Sequence, residues 1–360
     1  MKKYNVGVIG ATGMVGQRFL RILESHPWFE VTVLAASPRS AGKTYREAVG
    51  ERWAFEDHPM PEKYASMVML DAETDIDLIA QKVDFVFCAV NMDKAKIKAL
   101  EETYAKREIP VVSNNSAHRS TPDVPMIVPE INAEHLSVID AQRKRLGTKR
   151  GFIAVKSNCS LQSYVPLLHP LQKFGIEKAA VCTYQAISGA GKTFSTMPEI
   201  LDNIIPYIGG EEEKSEQEPL KIWGEVKNGE IVSAKKPVIT AQCIRVPVSD
   251  GHMAATFVSF KNTPTETEIL AAWKEYAGEP QALSLPSAPK QFITYMEEPN
   301  RPQTKLDRNA ENGMGITAGR LRRDSVFDYK FIGLSHNTLR GAAGGAVLLA
   351  ELLAAKGYFD

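Results

Sequence analysis

Cys88, Cys159, Cys182 and Cys243 are the only cysteines in 360 residues, and no C-x-x-C pair occurs, so neither a zinc site nor a disulfide framework is indicated. One of them stands where a reactive sulfur belongs. Ser157-Asn158-Cys159-Ser160 follows an apolar run over 151–155 that reads as a strand. It precedes a helix-like stretch over 161–174, which Pro166 and Pro170 kink or shorten. A cysteine on a strand-to-helix turn meets backbone N–H groups and the positive end of a helix dipole, and both favour the thiolate, the nucleophilic form. A structural cysteine buried on a tight turn would look the same, so the rest of the chain has to decide. A second candidate pair is Arg245 and His252, on two short strands around an Asp250-Gly251 turn. A hairpin there would bring both side chains near one pocket, although a turn histidine facing water fits the same residues.

The elements that would position these groups begin near the N-terminus. A short strand over 6–9 runs into Gly10-Ala11-Thr12-Gly13-Met14-Val15-Gly16, which opens an amphipathic helix over 17–25, and a second strand over 29–35 completes a βαβ unit. The spacing is GxxGxxG, but the physics is that of a dinucleotide turn: a tight bend, close approach of backbone to a pyrophosphate, and a helix N-terminus aimed at it. Gly10, Thr12, Gly13, Met14, Val15 and Gly16 are therefore candidate cofactor contacts. At the end of the second strand the chain reads Ala36-Ser37-Pro38-Arg39-Ser40-Ala41-Gly42-Lys43. No carboxylate stands there to bind a ribose 2′-OH, whereas Ser37, Arg39 and Ser40, with Lys43 beyond them, can bind a 2′-phosphate; the expected cofactor is NADP.

Strand and helix patterns then alternate, with a strand over 83–90, a helix over 92–107 and a strand over 109–113, as a doubly wound parallel sheet requires. The polar stretch Asn114-Asn115-Ser116-Ala117-His118-Arg119 follows at a strand's carboxyl end, where such sheets keep their ligand crevice. That makes Asn115 and Arg119 candidate substrate contacts. A helix is expected over 132–146. Beyond Cys159 the strands over 178–187, 238–248 and 254–261 read as antiparallel, and helices are expected over 198–208 and 211–227. The latter opens with Glu211-Glu212-Glu213-Lys214, and acidic residues also suit a helix N-terminus for its own sake. Ser188-Gly189-Ala190-Gly191-Lys192-Thr193 imitates a P-loop, but Ala186 stands where its first glycine belongs; a Gly-rich turn beside nicotinamide or substrate fits better than an ATPase. A last helix over 338–356, rich in Gly and Ala at its start, is expected to return to the first domain.

The expected fold class is α/β: a Rossmann-like, doubly wound parallel sheet over 1–157, completed by the C-terminal helix within 337–360, plus an α+β domain over 158–336 with a mostly antiparallel sheet. Basic and acidic residues balance at 43 each, so no global field draws nucleic acid or an anionic membrane. No apolar run is long enough to span a bilayer, the five-residue strand that follows Met1-Lys2-Lys3-Tyr4 is too short for the apolar core of a signal peptide, so none is expected, and the dispersed cysteines point to the reducing cytoplasm.

Taken together and in order, the glycine turn, Ser157-Asn158-Cys159-Ser160, Tyr184-Gln185-Ala186-Ile187-Ser188-Gly189, Glu211-Glu212-Glu213-Lys214, Arg245 with His252, and His336-Asn337-Thr338-Leu339-Arg340-Gly341 resemble aspartate-semialdehyde dehydrogenase, in its archaeal and fungal branch. The resemblance implies NADP-dependent interconversion of L-aspartyl 4-phosphate and L-aspartate 4-semialdehyde through a cysteine thioester, in a homodimer or homotetramer that needs no metal. By position it implies Cys159 as nucleophile, His252 as acid/base and Gln185 as the group orienting the acyl intermediate. It further implies Arg245 on the substrate carboxylate, Glu211 on its amino group, Arg119 and Lys214 on phosphate, and Ser188, Gly189 and Asn337 beside the nicotinamide. Malonyl-CoA reductase, or a catalytically silent NADP-binding protein on the same scaffold, is the alternative.

Overall fold

In the computed structural model, which describes residues 3–55 and 58–360, the strands over the first half are β1 (Tyr4–Ile9), β2 (Phe29–Ala36), β3 (Leu70–Asp71), β4 (Phe85–Cys88), β5 (Val111–Ser113), β6 (Met126–Ile127) and β7 (Ile153–Lys156). They form one sheet in the order β3-β2-β1-β4-β5-β7-β6, and every pairing is parallel. Strand order changes direction between β1 and β4, which opens a crevice at their carboxyl ends. Because both faces are covered, alternate residues of one strand serve two cores. Val6, Val8, Phe85, Phe87 and Ala154 pack against Phe19, Leu20 and Leu23 of the helix Met14–Leu23 and against Val347 and Leu348 of the helix Gly344–Ala355. Ile9, Val86, Val111 and Ile153 point the other way, to Leu100 and Tyr104 of the helix Lys94–Lys106. Gly16 shows why the first turn is glycine-rich: a β-carbon there would lie 2.3 Å from Gly10 O, so the helix seats directly on the bend.

The second half contributes β8 (Ile176–Gln185), a small β9 (Glu225–Lys227) and β10 (Glu230–Val232) hairpin, β11 (Val238–Arg245), β12 (His252–Phe260), β13 (Ile293–Met296), β14 (Ile316–Arg323) and β15 (Tyr329–Ser335). Six of these lie in the order β11-β8-β12-β15-β14-β13. The central pairings are antiparallel, but β11 runs parallel to β8 and β13 parallel to β14, so the sheet is mixed. Its core is continuous with that of the first sheet through Leu161, Val165 and Leu168, which lie in one apolar cluster with Val86, Val181 and Phe331.

Five expectations change. The helix expected over 211–227 stops at Ile222, and Glu225–Lys227 is strand β9 instead. β11 and β12 do not form a hairpin, because β8 lies between them. The stretch after Cys159 is broken into Ser160–Ser163, Val165–Leu168 and His169–Phe174, the proline at the start of each later piece interrupting the ladder. Only Pro198–Ile200 of the expected 198–208 helix is helical; Pro206 and the left-handed Asp202 bar continuation, and Ile205 instead pairs with Arg245 through both main-chain hydrogen bonds (3.0 and 2.8 Å). The last helix begins with an irregular turn, Leu339–Ala343, before Gly344–Ala355 becomes regular. Among the described residues no helix is long and apolar enough to cross a membrane, and no cluster of metal-ligating side chains occurs.

Candidate active site

Cys159 and His252 meet. The sulfur lies 3.4 Å from His252 Nε2 although the two residues sit on different elements, Cys159 just past β7 and His252 at the first position of β12. The ring is fixed from behind: Nδ1 accepts the Ala186 N–H at 3.0 Å, which leaves the proton of the neutral imidazole on Nε2, the side facing sulfur. The other end of the same residue serves Arg245, whose NH1 donates to Ala186 O at 2.7 Å. A β-carbon at Gly189 would lie 3.0 Å from His252 Nε2 and 3.1 Å from Arg245 NH1, so both groups converge on the Gly-rich turn. The hairpin reasoning reached the right proximity by the wrong route: β8 separates the two strands, and Ala186, the residue just past its end, holds both side chains.

A polar network carries the geometry outward. Asn158 Nδ2 donates to both oxygens of Glu211 at 3.0 Å, Lys214 Nζ donates to Glu211 Oε1 at 2.7 Å and Gln185 Nε2 to Glu211 Oε2 at 3.3 Å. Arg119 donates through Nε to Lys156 O (3.0 Å), through NH1 to Glu218 Oε1 (3.0 Å) and through NH2 to Asn114 O (3.3 Å). Arg119 and Lys214 share the lining of a cavity of about 380 Å³ with Ser116 and Ser120. Asn115 does not join them. Its Nδ2 turns inward to Glu101 Oε1 (2.9 Å) and Cys88 Sγ (3.4 Å), because the fully buried carboxyl of Glu101 competes for it.

The charges act on the thiol in opposite senses. Burial, then Glu211, push the Cys159 thiol above its ordinary value; Lys156, Arg119 and Arg245 oppose them. The dipole expected to favour the thiolate is weak, since the helix behind Cys159 is one four-residue turn. Burial, with Arg245 and His336 beside it, holds the His252 imidazolium well below its usual range, so the ring is neutral. Glu211 is raised by burial, yet Lys214, Asn158 and Gln185 outweigh that and keep it below the ordinary carboxylate value. Lys156, buried beside the cysteine, is pushed down to about 7 by burial and by Arg119.

A separate cleft of about 950 Å³ is lined by Met14, Ser188, Asp250, Arg308 and His336 among others. Asn337 Nδ2 donates to Ser188 Oγ and its Oδ1 accepts the Gly251 N–H, each at 2.8 Å, so two predicted cofactor contacts are tied together. The helix Met14–Leu23 has Gly13 as its N-cap, with no capping side chain and no acidic residue in its first turn. Its N-terminal amides thus suit an anion. Thr12 O is held by Gln17 Nε2 at 3.0 Å; Val15 packs on the core behind. Ser37 and Arg39 are exposed at the carboxyl end of β2, whereas Ser40 is only 8% exposed.

Residues 5–139 match the family model described as semialdehyde dehydrogenase, NAD binding domain, and residues 168–340 the one described as semialdehyde dehydrogenase, dimerisation domain. Aspartate-semialdehyde dehydrogenase of Aspergillus fumigatus is 43% identical over 365 residues, covering 99% of this chain and 98% of that protein. The enzyme of Methanothermobacter thermautotrophicus is 44% identical, covering 97% of this chain and 98% of its own. The chain belongs to the aspartate-semialdehyde dehydrogenase family. Among solved structures, the Candida albicans aspartate-semialdehyde dehydrogenase with NADP superposes with a TM-score of 0.87 at 39% identity, covering 99% of this chain and all of that one. In this member of the aspartate-semialdehyde dehydrogenase family, sequence reasoning missed the groups that hold the site together: Lys156, Glu218, Lys221 and Glu101. For Glu218 and Lys221 a signal existed, since they continue the spacing of Glu211 and Lys214 along one helix face.

Proposed function

We propose that this chain is an NADP-dependent aspartate-semialdehyde dehydrogenase, interconverting L-aspartyl 4-phosphate and L-aspartate 4-semialdehyde plus inorganic phosphate on the route to lysine, methionine and threonine. The observation that carries the mechanism is the Cys159 sulfur 3.4 Å from a His252 Nε2 whose proton is fixed toward it. The thiolate of Cys159 attacks the acyl carbon, the carbon–oxygen bond to phosphate breaks, and phosphate departs into the cavity of Arg119 and Lys214. The cofactor, when bound, supplies two-electron reduction of the resulting thioester. His252 Nε2–H donates to the oxyanion that forms on the acyl oxygen, and then to the thiolate released as the carbon–sulfur bond breaks. Arg245 holds the substrate α-carboxylate, Glu211 its ammonium, and Gln185, pinned to Glu211, turns the acyl group.

NADP is supported by the uncapped amides after Gly13, the close-packed glycine bend and the exposed Arg39, with no carboxylate at the end of β2. We read residues 1–157 with 337–360 as the cofactor unit and 158–336 as the catalytic one. A homodimer or homotetramer is supported by the open face of the second sheet, where Val238 is 66% and Tyr184 36% exposed. Four free cysteines suit the cytoplasm.

The test supplies purified protein with L-aspartate semialdehyde, NADP⁺ and phosphate, and follows NADPH. Phosphate-dependent NADPH formation is expected, and Cys159→Ala should abolish it while leaving NADPH affinity within about tenfold. Turnover of malonyl-CoA without turnover of the semialdehyde would replace the reading.

A further inference from the structure

The helix Glu211–Ile222 carries charge at 211, 214, 218 and 221, a spacing that puts all four side chains on one face. The first two belong to the substrate pocket in the reading above. The other two, 8% and 7% exposed, turn to Arg119. Lys221 Nζ donates to the carbonyls of Arg119 and Thr121 at 2.7 Å and of Val124 at 3.0 Å, gripping the main chain of that loop. Glu218 grips the side chain. Its Oε1 accepts from Arg119 NH1 at 3.0 Å, and its Oε2 accepts the Asn158 N–H, one residue before the nucleophile, at 2.7 Å.

A guanidinium has five N–H donors. Three of those of Arg119 are taken by Glu218, Lys156 O and Asn114 O. One remains on each terminal nitrogen, the pair that a phosphate oxyanion accepts from an arginine fork. The orientation of that fork is set before any ligand arrives. The same carboxylate also sets the main chain at Asn158, so the distance between the phosphate clamp and the sulfur is fixed by one buried group.

We propose that Glu218 is a positioning residue of the phosphate half-site, joining Arg119 to the Asn158–Cys159 turn; the proposal rests on the reading that Arg119 receives the substrate phosphate. Displacement at an acyl phosphate needs nucleophile and leaving group held in register, and small misplacements are costly in rate. Glutamine cannot replace the carboxylate here: it has one acceptor oxygen for two donors, and its NH₂ would face either the guanidinium or the Asn158 N–H, donor against donor.

The experiment is steady-state kinetics of Glu218→Gln in the semialdehyde-oxidising direction, varying phosphate at saturating semialdehyde and NADP⁺. The expected result is a fall of about tenfold or more in kcat/KM for phosphate, with KM for NADP⁺ within about twofold of wild type and a single cooperative melt. In an Arg119→Ala background the same substitution should cost phosphate less than it does alone, because the link between Arg119 and the Asn158–Cys159 turn is already broken; fully additive losses would overturn the proposal. An unchanged kcat/KM for phosphate, or tighter phosphate binding, would also overturn it, the second by making Glu218 a competitor of the ligand. If Glu218→Gln does not fold, Glu218→Asp carries the test, since the shorter chain cannot reach both partners; wild-type phosphate kinetics in that variant would overturn the proposal. Wild-type protein that turns over no semialdehyde would instead sink the enzymatic reading itself.

Discussion

Arg119 and Arg245 both lower the pKa of the same cysteine, yet the fold holds them differently. Arg119 is tied by three acceptors, one of them the carboxylate of Glu218, and its neighbour Lys214 is paired with Glu211. Each cation of the phosphate half-site therefore comes with its own anion. Arg245, 6% exposed, donates to a single carbonyl, and among the described residues no carboxylate forms an ion pair with it. One half-site is neutralised in advance; the other keeps its charge for a ligand. The contrast matches what each ligand must do in the proposed reaction. Phosphate leaves in one direction and enters in the other, so a tempered site allows exchange, whereas the α-carboxylate must stay in place while the thioester forms and is reduced.

This contrast can be broken by mutation. Arg245→Leu leaves the carboxylate without a buried partner, and a loss of about 100- to 1,000-fold in kcat/KM for the semialdehyde is expected, with KM for phosphate little changed. A loss below about tenfold would mean that Arg245 is structural. Arg119→Lys keeps the charge but gives up the planar fork and the fixed contacts to Lys156 O and Asn114 O, so a smaller penalty of about tenfold, confined to phosphate, is expected from initial-rate kinetics. Equal losses from the two variants, each on both ligands, would erase the distinction.

How far the sequence carried this reading differed between the two sheets. Strands β1, β4, β5 and β7 are buried on both faces and read as apolar runs, and the bend at Gly10 needs glycine, so the parallel sheet and its crevice were legible. In the second sheet alternation shows which residues face inward but not which strand lies alongside; β8 enters between β11 and β12 from far earlier in the chain, and no local pattern announces it. The contacts of Ala186 with His252 and Arg245 were hidden for the same reason, since a backbone amide has no residue type to recognise. Glu218 and Lys221 were visible as a periodic charge stripe, but a charged helix face usually reads as solvated, and only packing against Arg119 and the loop over 119–124 shows that it is buried. The inward turn of Asn115 was not legible because its partner, Glu101, sits on a different element, the helix Lys94–Lys106.

The smallest expected effect concerns the thiol itself. Burial and Glu211 raise its pKa, so alkylation by iodoacetamide, which needs the thiolate, should be slow at neutral pH and climb to a plateau only above the ordinary thiol value of about 8.5. Arg245→Leu removes a permanent positive charge and should move that rise to higher pH. Arg119→Lys keeps its charge and should leave the curve nearly in place. Lys156 differs from both: burial pushes it down to about 7, yet the thiolate in turn favours its ammonium, so the two groups titrate together. Among the cations acting on the sulfur it opposes burial most. Lys156→Met should therefore move the alkylation curve to higher pH by at least as much as Arg245→Leu does. A smaller shift would mean that Lys156 has lost its proton before the sulfur titrates, and that the two arginines alone set the reactivity of Cys159.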